Sequence, residues 1–214
     1  TAMVFVLYKL LPMAGGGWQY MMATLGAVTF IGSNLLGIKQ GHAKRLLGYS
    51  SVGQIGLLMI VVGLSQHLGE ALTAIAYGLL VSHFLAKSGL FWLAGIIQKD
   101  GLRDWAVLRK KPFLLVLFGT FIFALVGFPP FPSFFAKWEL IMQLSAAEGF
   151  AWAGIVLFGS LLEGIYLFRW LGYSIKLDHQ ELPSFRLPWQ KILPVAISGV
   201  ALYILGYFAT PIAS

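Results

Sequence analysis

The sequence contains no cysteine among its 214 residues. This absence excludes disulfide bonds, iron–sulfur ligation, thiolate zinc sites and thiol catalysis on this chain. The histidines are not spaced as metal ligands are; they are His42, His67, His83 and His179. The triple glycine at 15–17 lacks the strand–turn–helix context of a phosphate-binding motif. We therefore expect no cofactor on this chain, and any cofactor chemistry is expected on partner subunits.

Charged residues are scarce as well. Only 11% of the residues are Asp, Glu, Lys or Arg, whereas soluble domains carry about 25%. The mean hydropathy is +0.82, and lipid is the solvent that suits most of these side chains. The sequence therefore predicts an integral membrane protein.

Apolar runs of the length that crosses a bilayer, about 20 residues, follow one another along the chain. They predict an all-α, polytopic transmembrane bundle with spans near 18–38, 49–66, 71–97, 112–144, 152–175 and 192–208. The apolar stretch 1–11 is too short to span the membrane. We interpret it as the end of a preceding transmembrane helix, and we expect a truncated or split polypeptide.

Prolines interrupt the apolar run 112–144. Pro129, Pro130 and Pro132 follow Gly127 within a few residues, and proline removes a backbone donor and clashes with the preceding turn. We predict one broken helix, made of two half-helices joined by an unwound segment, of the kind that builds ion sites in transporters. The carbonyls freed at 127–130 are expected to hold water or a cation.

Basic residues mark one side of the predicted bundle. The formal net charge is +7, and the basic residues lie mostly in loops 39–45, 98–111 and 176–191, which successive crossings place on one side, called side one. The turn 67–70 and the C-terminus fall on the opposite side, side two. This asymmetry is typical of a cytoplasmic or matrix face for side one. It favours membrane orientation over nucleic-acid binding as the reason for the positive charge.

Three ionisable side chains lie inside predicted spans: Lys87, Lys137 and Glu163. Such a group costs about 2.5–3.5 kcal/mol at the bilayer centre on insertion scales, so it indicates function by default. His83 lies four residues before Lys87, on the same helix face. We predict that these four side chains translocate protons, because a buried ionisable group exchanges its proton when a neighbouring charge moves. A hydrated seam of small polar residues is expected beside them: Ser33, Asn34, Ser82 and Ser88.

Structural interpretations of the same residues stay open. Lys87 can pair with a carboxylate for packing alone, and Lys137 can extend toward an interface. Glu163 can pair with Arg169, and His83 can be a hydrogen-bonded interior histidine.

Three segments resemble motifs of the antiporter-like membrane subunits of respiratory complex I, membrane-bound hydrogenases and Mrp antiporters. They are 44–52 (KRLLGYSSV), 83–95 (HFLAKSGLFWLAG) and 127–137 (GFPPFPSFFAK). The resemblance implies a family of about fourteen helices with two inverted five-helix repeats. Residues 18–175 would form the second repeat and 192–208 the C-terminal helix, whereas the first repeat is missing.

The resemblance also implies roles. Lys87 takes the position of the central-axis lysine, Lys137 that of the broken-helix lysine, and His83 that of a neighbouring relay or hydration site. Ser133 and Gly48 depart from the usual glycine and alanine. Glu163 has no clear counterpart, so its predicted role rests on burial alone.

The function that the resemblance implies is a non-catalytic, proton-translocating subunit of a redox-driven complex. Iron–sulfur, flavin or nickel–iron centres would lie on partners, which comprise other membrane subunits and the redox subunits of a peripheral arm. The expected location is an energy-transducing membrane, bacterial, archaeal or organellar, with lipid around the chain and the C-terminus outside. Two alternatives stay open: a subunit of a Mrp-type sodium/proton antiporter, or a structural membrane subunit with an inactive channel.

Overall fold

A computed structural model of the chain describes residues 6, 9, 16–176 and 189–209. The regular elements in these ranges are helices, which confirms the predicted all-α fold. In chain order they are α1 Gly16–Ile38, α2 Ala43–Gly63, α3 Ser65–Leu68, α4 Ala71–Ile97, a 3₁₀ helix Leu102–Lys110, α5 Pro112–Val126, α6 Pro132–Ala146, α7 Phe150–Ile175 and α8 Trp189–Ala209. The predicted helix end at 1–11 lies, except for residues 6 and 9, outside the described residues.

Helices α1, α2, α4, α7 and α8 are long and apolar enough to cross a membrane. Helix α5 is apolar but short, and the prolines separate it from α6, so the two form the broken helix predicted for 112–144. Helix α2 begins at Ala43, six residues before the predicted start of its span. Its first turn holds Lys44 and Arg45, which the hydropathy pattern assigned to a loop although both are helical.

Small residues bring α1 and α2 into close contact. A Cβ atom added to Gly56 would lie 2.6 Å from the backbone nitrogen of Phe30, and one added to Gly63 would lie 2.6 Å from that of Ala23. Gly26 meets the same α2 backbone from the other side. Membrane helices have little hydrophobic drive to associate, so close backbone packing of this kind is what holds them together.

The loops at one end of the bundle are joined by backbone hydrogen bonds. Ala43 N–H donates to the Asp100 carbonyl at 2.8 Å, and Leu102 N–H donates to the Gly41 carbonyl at 3.0 Å. Loops 39–45 and 98–111 therefore lie at the same end, as the predicted crossings require. Within loop 98–111 the 3₁₀ helix buries Trp105, whose ring contacts Trp170 with centroids 4.4 Å apart.

The buried apolar residues form two clusters at different levels of the bundle. On α2, the buried apolar residues from Ala43 to Leu47 belong to one cluster, and those from Leu57 onward belong to the other. Helices α4 and α7 are divided in the same way: the second cluster extends to Leu79 on α4 and to Val156 on α7. Between the clusters lie most of the buried polar side chains of these helices: Ser50, Gln54, Ser82 and Glu163. The fold therefore contains a polar layer about midway along its helices, and this layer holds the predicted site.

Candidate functional site

The prolines of the helix break release backbone carbonyls into the bundle. In a continuous helix the carbonyls of Leu125 and Val126 would accept from the N–H groups of residues 129 and 130, but both are prolines and have none. The carbonyl of Ala124 also loses its helical donor, because Phe128 N–H donates to Phe123 at 3.0 Å instead. The unwound segment therefore presents acceptors that a continuous helix would have used internally.

Two side chains of the second half-helix, α6, donate hydrogen bonds to two of these carbonyls. Lys137 Nζ donates to the Val126 carbonyl at 3.0 Å, and Ser133 Oγ donates to the Ala124 carbonyl at 2.6 Å. Both side chains are buried. The sequence pattern predicted that the break would free carbonyls at 127–130; the acceptors that the structure shows lie slightly earlier, at the end of α5.

Gly127 is required where the chain leaves α5. Its φ is +89°, a left-handed conformation that glycine adopts without strain. A Cβ atom at this position would lie 3.1 Å from Lys137 Cδ. Gly127 therefore both ends the helix and leaves room for the lysine side chain. Pro132 occupies the first turn of α6, where a missing N–H costs nothing.

Lys137 forms a buried ion pair with Glu163 of α7. Lys137 Nζ lies 3.6 Å from Glu163 Oε2, and Ser50 Oγ of α2 donates to Glu163 Oε1 at 3.0 Å. The carboxylate is only 3% exposed. The alternative partner, Arg169, instead donates to the carbonyls of Ile38 and Gln40. Side chains of three helices, α2, α6 and α7, therefore meet at the Glu163 carboxylate. The motifs that resemble the family do not include this residue.

Lys87 of α4 lies in the same layer and is bound differently. Its ammonium donates to the backbone carbonyl of Leu47 in α2, and it is close enough to Glu163 for the two charges to interact. Lys87 also borders a surface groove of about 600 Å³. The other residues along the groove are Phe84, Ser88, Phe91, Trp92 and Gly95.

His83 is half-buried one turn from Lys87. Within the described part of the chain it makes no hydrogen bond, and it is close enough to Lys87 and Lys137 for their charges to act on it. All four ionisable residues predicted from the sequence therefore lie near one another. In the same described part, no group of three His, Cys, Asp or Glu side chains is arranged to hold a metal ion.

A second buried polar group extends the layer toward α1. Asn34 Nδ2 donates to the Gly159 carbonyl at 3.1 Å, and Tyr166 Oη donates to Asn34 Oδ1 at 3.0 Å. Tyr166 is also close enough to Glu163 for the carboxylate to act on it. Sequence reasoning included Asn34 but missed Tyr166 and Ser50. The three-residue spacing of Glu163 and Tyr166, which puts both on one helix face, was the available signal.

Comparison with known proteins gives consistent results. The family model described as "NADH:quinone oxidoreductase/Mrp antiporter, TM" matches residues 1–163. "NADH-quinone oxidoreductase subunit N 2" of Hydrogenobaculum sp. (strain Y04AAS1) is 27% identical over 97% of this chain and 46% of its own length. The chloroplastic "NAD(P)H-quinone oxidoreductase subunit 2" of Chlorokybus atmophyticus is 30% identical over 94% of this chain and 41% of its own length. The chain thus spans less than half the length of these relatives.

Solved structures share the fold. A chain of respiratory complex I from Thermus thermophilus with bound aureothin aligns with a TM-score of 0.67 and 25% identity, over 87% of this chain and 43% of that chain. A chain of the Mrp complex from Dietzia sp. DQ12-45-1b aligns with a TM-score of 0.81 over 98% of this chain and 48% of that chain. At 18% identity the second likeness concerns the fold alone. Because the family model covers most of the sequence, this chain belongs to the NADH:quinone oxidoreductase/Mrp antiporter transmembrane family.

Proposed function

We propose that this chain is part of a proton-translocating membrane subunit of a redox-driven complex, of the complex I or hydrogenase kind. The observation that carries the proposal is the buried Lys137–Glu163 pair, with Nζ and Oε2 3.6 Å apart, at a break in the α5–α6 helix. A second buried ammonium, that of Lys87, lies within range of the same carboxylate. Charges are retained at the centre of a bilayer when ion movement requires them.

The charge balance of the site suggests how it works. Lys137 pairs with the carboxylate of Glu163, and the ammonium of Lys87 lies within electrostatic range of the same carboxylate. When one lysine loses its proton, the positive charge of the other lysine is better neutralised, because the Glu163 carboxylate then interacts with one ammonium group and not with two. A proton leaving one lysine therefore favours proton uptake elsewhere in the layer. His83 adds a third group that responds to both lysine charges.

The helix break gives Lys137 a neutral second partner. With Val126 O at 3.0 Å, the ammonium keeps one hydrogen bond when its distance to Glu163 changes. The groove beside Lys87 offers that lysine a separate route to the bundle surface. We propose that protons reach Lys87 by way of neighbouring polar groups and leave by way of Lys137 toward side two.

We also infer the partner subunits of the chain and its orientation in the membrane. Other membrane subunits complete the translocation path, and peripheral redox subunits carry the flavin, iron–sulfur or nickel–iron centres. Side one faces the cytoplasm or matrix of an energy-transducing membrane, and the C-terminus lies outside. A relative named as an NADH-quinone oxidoreductase subunit and a solved neighbour from respiratory complex I support this assignment.

Purification of the native complex through this chain, followed by mass spectrometry, tests the partners. Redox subunits are expected to co-purify. Small hydrophobic partners alone would instead support a Mrp-type antiporter, the second candidate, which the description of the matching family model also includes.

The variant Lys87→Met tests the role of the site. In the complex reconstituted into liposomes, we expect fewer protons moved per electron pair while the subunits remain assembled. The matched control is Lys99→Met, which removes an exposed lysine after α4 and should leave the ratio unchanged. Loss of the whole complex in Lys87→Met would show a packing role. An unchanged proton ratio would favour the structural subunit with an inactive channel.

A further inference from the structure

A cationic pocket lies at side one, away from the Lys137–Glu163 pair. It has a volume of about 370 Å³, within the range of about 300–1,000 Å³ that small-ligand clefts have. Its walls come from the end of α1, the start of the 3₁₀ helix and the last turns of α7. Three of its lining residues are basic: Lys39, Arg103 and Arg169. Among the described residues that line it, none is Asp or Glu.

Two carboxylates belong to the joined loops, and they differ in their partners. Asp100 pairs with Lys44, with Nζ and Oδ1 3.2 Å apart. Asp104 Oδ2 accepts from the neutral backbone N–H of Gly101 at 3.1 Å, so it keeps its negative charge at the edge of the pocket. Three basic residues against this one carboxylate leave the pocket positive, and it favours an anion.

Arg169 is held in place with donor capacity to spare. Its Nη1 and Nη2 groups donate to the carbonyls of Ile38 and Gln40, which are neutral, so the guanidinium keeps its full charge. Its Nε is buried and has no hydrogen-bond partner within the described ranges. A buried donor without a partner carries a cost of about 1–3 kcal/mol, and an anion in the pocket would offset the charge of this guanidinium.

The rest of the pocket is also preorganised. Arg103 lies over the ring of Tyr173 at 5.4 Å from the centroid, a cation–π arrangement that fixes the guanidinium. The backbone hydrogen bonds from Leu102 N–H to the Gly41 carbonyl and from Ala43 N–H to the Asp100 carbonyl hold the two loops at a constant separation. Planar guanidinium groups suit phosphate oxygens geometrically.

The level of the pocket in the bundle indicates the source of the anion. Arg169 donates to the carbonyls of Ile38 and Gln40 at the end of α1, so the pocket lies where this membrane helix ends on side one. The 23 residues of α1 span about 34 Å, slightly more than the hydrocarbon core of about 30 Å, so its end is expected near the headgroups, a level at which tyrosine is typical. Basic pockets between membrane helices on the positive side are suited to anionic headgroups. We propose that this pocket binds a phosphate group supplied by the headgroup of an anionic phospholipid.

The test uses the purified native complex and a titration with phosphatidylglycerol, with bound lipid counted by native mass spectrometry. The variant Lys39→Ala/Arg103→Ala removes two exposed pocket cations and leaves the Arg169 contacts intact. Each cation near an anionic lipid accounts for about a fivefold change in binding, so the double variant should bind about 30-fold more weakly. The control Arg45→Ala/Lys99→Ala removes two exposed cations of the same side that do not line the pocket, and its binding should be unchanged.

Two further arms distinguish the possible sources. Phosphatidylcholine should bind weakly and equally to all variants, and inorganic phosphate at the same concentration should not displace phosphatidylglycerol. Displacement by inorganic phosphate would overturn the lipid source and identify free phosphate as the ligand. Equal losses in the pocket and control variants would overturn the site itself, because they would show binding to general surface charge.

Discussion

A double-mutant cycle on Lys137 and Glu163 measures whether the two charges support each other inside the membrane. Both side chains are less than 10% exposed and lie 3.6 Å apart. Removing one partner of a buried pair costs about 3–5 kcal/mol, because the other charge is left uncompensated. We therefore expect Lys137→Met and Glu163→Gln each to destabilise the protein by about that amount.

The double variant leaves neither charge of the pair uncompensated. It keeps two defects: the Val126 carbonyl loses its Lys137 donor, which costs about 1–3 kcal/mol for an unsatisfied buried acceptor, and Lys87 loses the carboxylate within its range, as it also does in Glu163→Gln alone. The double variant should thus cost less than the sum of the two single costs. Unfolding by SDS in mixed micelles, followed by tryptophan fluorescence, supplies the free energies of unfolding.

Glu139→Gln is the matched control for this cycle. Glu139 lies in the same half-helix as Lys137 and accepts a hydrogen bond from Gln143 at 2.8 Å, which an amide can also do. We expect a cost below about 1 kcal/mol, because the hydrogen bond is retained. Single-variant costs that simply add in the double variant would refute the reasoning, since additivity means that the two sites do not interact.

Two substitutions test the helix break, and a third, in α2, is the control for the glycine substitution. Pro130→Ala restores an N–H group that can donate to the Val126 carbonyl, so it should compete with Lys137 and lower proton transport; full transport in liposomes would contradict the proposed role of the break. Gly127→Ala introduces a Cβ at φ +89° and 3.1 Å from Lys137 Cδ, and should cost about 1–2 kcal/mol in thermal unfolding. Gly48→Ala, with open space around its Cβ, should be neutral or stabilising by up to about 1 kcal/mol, and equal losses at both glycines would contradict the account.

Much of the fold can be predicted from sequence patterns that the lipid environment imposes on membrane proteins. Long uncharged runs predict membrane helices because lipid offers backbone groups no partner, and this prediction is confirmed. The helix break was also predictable, because prolines 129 and 130 remove two donors. The 3₁₀ helix was missed: four of its nine residues are charged, and it is held by Trp105, which contacts Trp170 and Phe118. Such distant contacts leave no local pattern.

The candidate site was predictable in its charges and not in its partners. Lys87, Lys137 and Glu163 stand out because an ionisable group in an apolar run is rare. The pairing of Lys137 with Glu163 rather than Glu163 with Arg169 depends on how α6 and α7 are rotated, which a single sequence does not encode locally. The same holds for Ser50, a small polar residue with no periodic signal of its own. Backbone acceptors such as the Leu47 carbonyl have no signature in the sequence at all.

The most direct test of the central claim is the number of protons moved per electron pair by the reconstituted complex carrying Lys137→Met. The account predicts that electron transfer continues while the proton ratio falls, because the ammonium that links Glu163 to the helix break is gone. The same ratio as in the unaltered complex, with Lys137→Met fully assembled, would contradict the claim that protons pass through this pair.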